Sequence, residues 1–68
     1  MAKTYEVRDP GQTAYVTGLT DLTEAILAER EGWRIGALSH SSGVYERDEH
    51  GVRFVDSMEY ARALPGLD

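Results

Sequence analysis

The side chains with chemical potential in this sequence are two histidines, His40 and His50, the serines Ser39, Ser41 and Ser42 around the first, and the carboxylates Glu46, Asp48 and Glu49. Metal binding needs convergent ligands, and neither a His-Glu-x-x-His helical pair nor zinc-finger spacing occurs, so no metal site is expected. A serine nucleophile needs a pre-formed turn and an oxyanion hole, usually signalled by Gly-x-Ser-x-Gly, and that pattern is missing. Ser41-Ser42-Gly43 has neither the companion glycines nor the following Lys of a phosphate cradle. The three carboxylates fall on a predicted exposed turn, where nothing would raise a pKa for acid–base work. The expectation is a chain with no catalytic residue and no cofactor, and therefore not an enzyme.

Charge narrows the partners. Seven basic residues stand against twelve acidic ones, a formal net charge of −5 with a pI near 4.8. Arg8, Arg30, Arg34, Arg47, Arg53 and Arg62 are scattered among acids rather than gathered into a stripe, which argues against direct binding to nucleic acid or to an anionic membrane. The acidic surplus suits a protein partner with a basic patch, as well as solubility.

With no cysteine, neither disulfides nor thiolate sites are available, and the fold must rest on packing. Leu, Ile, Val and Phe are 14 of the 68 residues, just above the roughly one-fifth at which disorder becomes the default. One Trp and four Tyr add apolar area. Residues 1–68 therefore read as one small domain. No apolar run approaches the roughly 18 residues that would span a bilayer, and residues 1–6 lack the apolar core of a signal peptide. A cytoplasmic, soluble chain is expected.

The elements that must position these residues follow from local patterns. Residues 4–8 alternate, with Tyr5 and Val7 on one face, and residues 13–17 resume the alternation after Asp9-Pro10-Gly11-Gln12, which predicts a β-hairpin. Thr20 or Asp21 can cap a helix whose stripe is Leu22, Ala25, Ile26 and Glu29, only the last being polar. Gly32 is placed to end that helix. Trp33 and Ile35 then open a strand to about Ser39, with Trp33 expected to be buried and to anchor the helix to the sheet. After the 39–43 loop, Val44–Arg47 and Val52–Val55 form a hairpin around Asp48-Glu49-His50-Gly51. Asp56 starts a last helix that Pro65-Gly66 stops. The order ββαβββα predicts an α+β domain, a mixed or mostly antiparallel sheet with both helices on one face. The helix after the second strand is long enough to cross over between parallel strands. Leu19, Leu22, Ile26, Ile35, Val52 or Phe54, Met58 and Leu64 are the expected core, and the opposite sheet face is left open.

What remains is recognition. The acidic run Glu46, Asp48 and Glu49 projects from a hairpin tip, Tyr15 and Tyr45 alternate away from the apolar face, and a sheet with a bare face and open edges offers a platform. These five residues are the expected partner-binding set. The partner is a protein with a basic surface patch, and a homodimer is a further possibility.

In size, acidity, lack of cysteine and lack of catalytic motifs, the whole chain resembles by type the small phage-encoded inhibitors of bacterial defence, anti-CRISPR proteins above all. That resemblance implies a blocker of a nucleic-acid-binding or nuclease-recruiting surface. It rests on no diagnostic motif and carries over no functional residue. The alternatives are a host accessory subunit or homodimeric structural module, and an antitoxin-like neutraliser of a basic toxin.

Overall fold

The computed structural model describes residues 3–10 and 14–63. Its elements run β1 (Thr4–Arg8), β2 (Val16–Leu19), α1 (Leu22–Arg34), β3 (Gly43–Asp48), β4 (Gly51–Phe54) and α2 (Ser57–Arg62). The four strands lie in the order β2-β1-β3-β4, and every neighbouring pair is antiparallel. The domain is α+β. Because β2 and β3 are each antiparallel to β1, they run parallel to one another with β1 between them. The crossover expected to end in a strand over 33–39 instead runs through α1 and the loop after it to β3, which is not a neighbour of β2, and every neighbouring strand pair is antiparallel.

The caps are set locally. Asp21 accepts a hydrogen bond from the Thr23 amide at the start of α1, and Asp56 accepts one from the Glu59 amide at the start of α2. Asp48 accepts from the His50 amide inside the two-residue β3–β4 turn, and Gly51 closes that turn with a φ of 127°, open only to glycine at low cost. In β2 the register slips by one residue between the pairs Tyr5–Leu19 and Val7–Val16, and Gly18, with φ at 75°, lies within that bulge. Of the strand expected over 13–17, Ala14 and Tyr15 precede β2, which runs on to Leu19, and Thr13 lies outside the described residues. Gly11 and Gln12 of the first turn, Leu64 of the expected core and the Pro65-Gly66 stop lie outside the described residues.

The strand expected from Trp33 to Ser39 does not form. Gly32 is the reason: it stays inside α1, and a Cβ there would sit 2.4 Å from Leu38 Cδ1. The glycine lets Leu38 fold back onto the helix. The amides of Ala37 and Leu38 both donate to the Gly32 carbonyl, at 2.8 and 3.2 Å, and Gly36 takes the left-handed φ of 79° that reverses the chain. The observed order is ββαββα.

The core is Val7, Ala25, Ile26, Leu38, Val44 and Val55, with Leu19, Leu22, Tyr60 and Ala63 packed partly against it. Ile26, Leu19 and Leu22 are where the sequence places them. Ile35, Val52, Phe54 and Met58 are exposed instead. The Val55 amide donates to the Val44 carbonyl at 2.9 Å, and this register turns Val55 and Arg53 toward α1 and sends Val52 and Phe54 to the far side. α2 joins α1 through Thr23 Oγ1, which donates to the Ala63 carbonyl at 3.4 Å, and through Tyr60 and Ala63 against the core.

Candidate functional site

Antiparallel partners share a face, so the registers sort the strand residues into two sets. Tyr5, Val7, Val44, Glu46, Arg53 and Val55 face the helices. Thr4, Glu6, Arg8, Gly43, Tyr45, Arg47, Val52 and Phe54 form the open face. On that face Glu6 is only 2% exposed, because it accepts hydrogen bonds from Arg47 Nε at 2.9 Å and from Arg8. Tyr45 and Phe54 pack edge to face with ring centres 5.5 Å apart, and Val52 lies one register step along. The Phe54 ring rests over Gly43, where a Cβ would come within 2.6 Å of it.

The expected partner-binding residues scatter in role. Glu46 does not project from the hairpin. It is 4% exposed, because two-residue periodicity puts it on the Val44 side of β3. Arg53 donates to it from Nε and Nη2 at 3.0 and 3.1 Å, and Lys3 Nζ stands 3.4 Å away. Arg53 continues to Glu59 of α2, at 2.7 and 2.9 Å, so the guanidinium ties helix to sheet. Asp48 is half-buried and committed to its turn, leaving Glu49 as the outward carboxylate of the three. Tyr15 is exposed in the bend just ahead of β2, and Tyr45, expected to be exposed, is half-buried with its ring against Phe54.

These ion pairs make the fold acid-sensitive. The Arg47 hydrogen bond, against the opposing effect of burial and with help from Arg8, holds the Glu6 carboxyl below its ordinary 4.5. The Arg53 hydrogen bond does the same for Glu59, and Arg53 itself is raised, chiefly by Glu59. A carboxyl whose folded pKa is depressed contributes stability that is complete above its unfolded value and is lost as pH falls through the folded one. The melting temperature is therefore expected to hold steady from neutral pH down to the ordinary glutamate range and to drop below it. Glu6→Gln should flatten that acid limb, as thermal melts across pH will show.

A groove of about 460 Å³ opens where α1, the 39–42 loop, β4 and α2 converge. Its size is that of a ligand site. Trp33, Phe54 and Tyr60 supply aromatic walls, Glu29 and Asp56 bring carboxylates, and His40 and Ser42 border it. Neither Lys nor Arg is among the lining residues. Trp33 Nε1 donates to Ser42 Oγ at 2.8 Å and to the Ser39 carbonyl at 3.1 Å, and Ser42 Oγ donates to Glu29 Oε2 at 2.8 Å. Asp9 takes the Ser39 amide and hydroxyl at 2.9 and 2.6 Å, pinning the other end of the loop. The signal for this groove was Glu29, the one polar residue on the α1 stripe. Of the serines near His40, Ser39 is bound to Asp9 and Ser42 to Glu29, and among the described residues His40 forms no side-chain hydrogen bond with a serine. His50 lies in the β3–β4 turn, and among the described residues no three His, Asp or Glu side chains gather as a metal site.

Trp33 is thus a groove wall, 38% exposed, rather than the buried anchor expected of a strand residue. Trp33→Ala should cost about 1–2 kcal/mol, well under the ~3–5 of a buried tryptophan. Urea denaturation gives the value, and faster amide exchange in residues 39–42 should accompany it.

Comparison with protein-family models, curated proteins and solved structures finds no significant match to this chain. Among the described residues no helix is long and apolar enough to cross a membrane.

Proposed function

We propose that this chain is a non-catalytic protein-binding module that covers a basic surface of its partner with the β3–β4 end of its sheet. The observation that carries the reading is the open-face patch of Tyr45, Phe54 and Val52, in which Phe54 is 56% and Val52 43% exposed. Large apolar side chains at a sheet edge are costly in water and are enriched at the centres of interfaces. The ladder adds to this. The hydrogen-bonded pairs of β3 and β4 are set by the Val55–Val44 bond, so the amides and carbonyls of Val52 and Phe54 point away from β3, at the sheet's edge. Glu49 at the tip and the chain's acidic balance favour a basic partner. The finer form of the proposal is an anti-CRISPR-like inhibitor that occludes a nucleic-acid-binding or nuclease-recruiting surface of a bacterial defence complex. Small size and acidity support it.

The test is a photo-cross-linking residue placed at Val52 or Phe54, with Leu27 on the exposed side of α1 as control, in a bacterial lysate. A basic protein captured at 52 and 54 but not at 27, and bound more weakly by the wild type as salt rises, is the expected result. Adducts only with a second copy would make the patch a homodimer face. Binding to DNA or RNA at physiological salt would overturn the reading.

A further inference from the structure

The groove beside the sheet edge has a chemistry of its own. Glu29 is 2% exposed, and among the described residues no ion pair involves it; its hydrogen bond comes from Ser42. A buried carboxylate without a cation is costly, and the usual remedy is a cation brought against it. The second carboxylate, Asp56, spends Oδ1 on the Glu59 amide as the α2 cap. Around these two carboxylates stand Trp33, Phe54 and Tyr60. Aromatic faces with carboxylates and no competing base are the surroundings that favour a cation over any neutral or anionic guest.

We infer that this groove is the seat for an arginine side chain of the partner, an inference that rests on the protein-binding reading above. Arginine fits better than lysine for physical reasons. Its planar guanidinium stacks on aromatic rings, is weakly hydrated, and meets carboxylates through several donors at once, whereas an ammonium is compact and strongly hydrated. The groove adjoins Phe54, whose ring belongs both to the open-face patch and to the groove wall. A partner strand or loop lying over the patch would therefore have an arginine within reach of Glu29.

The probe is N-acetyl-arginine amide, titrated against the labelled protein by NMR, with N-acetyl-citrulline amide as the uncharged isostere. Saturable shifts are expected at the Trp33 indole and at the amides of residues 40–44 and 54–57, with citrulline weaker by about tenfold or more. Glu29→Gln combined with Asp56→Asn keeps shape, the Ser42 contact and the helix cap while removing both charges, and it should abolish the preference for arginine. Equal responses to the two probes, or shifts confined to the 48–51 turn, would overturn the inference. Should the cross-linked partner bind the double variant as tightly as wild type, the groove assignment falls while the protein-binding reading stands. If no partner is captured but arginine alone still seats, the groove assignment stands and the larger reading falls.

Discussion

Glu46→Lys is expected to unfold the domain, whereas Glu49→Lys, three residues along the same hairpin, should leave it folded. Both changes reverse one charge of the same acidic run. The structure does. Glu46 is almost wholly buried on the helix side of β3, where Arg53 and Lys3 converge on it. An ammonium there would lose the pair and place three cations together in a partly dry site. Breaking a buried pair costs about 3–5 kcal/mol, against a total of roughly 3–10 kcal/mol for a domain of this length. Glu49 is exposed and among the described residues forms no ion pair, so its reversal should fall within about 0.5 kcal/mol. Circular dichroism melts of the two variants decide the matter. A Glu46→Lys protein that melts like wild type would mean that the Arg53 bridge is unimportant. Wholesale reversal of the 46–49 carboxylates is consequently a test of folding and not of association.

Ile26→Ala should be the most damaging truncation on α1. Ile26 has no exposed surface and sits among Val7, Ala25, Val44 and Val55 in the single buried cluster of the described residues. Isoleucine to alanine at such a site costs about 2–5 kcal/mol, a fall in melting temperature of roughly 10–30 °C in so small a domain. Its neighbour Leu27 is 46% exposed and faces away; Leu27→Ala should change stability by no more than about 0.5 kcal/mol. Equilibrium denaturation of both variants, with unchanged slopes, measures the contrast. Comparable losses from the two would place the α1 contact face wrongly.

What the sequence disclosed was what is decided within a few residues. Asp21, Asp56 and the Asp48–Gly51 turn each satisfy backbone groups two or three positions away, so their residue types suffice to find them. Gly32 failed because its meaning depends on Leu38 packing against it, and a glycine at a close approach looks the same in sequence as one that ends a helix. β4 failed by parity: Val52 and Phe54 offer one apolar face and Val55 the other, and only the register with Val44 chooses between them. Glu46 looked like part of a solvated run because its neighbours in sequence are charged, although alternation from Val44 puts it inside. The groove was beyond local reading, since it joins Glu29 and Trp33 of α1 to Phe54 of β4 and to Asp56 at the start of α2.

The position of β1 in the sheet has a consequence for how the chain is born. β1 is an inner strand, paired with β2 on one side and β3 on the other, yet β3 begins 35 residues after β1 ends, from Arg8 to Gly43. At ribosomal speeds of about 5–20 residues per second, that gap lasts roughly 2–7 s. During it the nascent chain can form the β1–β2 hairpin and α1, but the amides and carbonyls of Thr4, Glu6 and Arg8, which point away from β2, await a strand not yet made. Folding is thus gated by the arrival of Val44 opposite Val7, a non-local pairing of the kind that slows collapse in small β-containing domains. Until then a strand that ends inside the sheet is left open along one edge to capture by another chain.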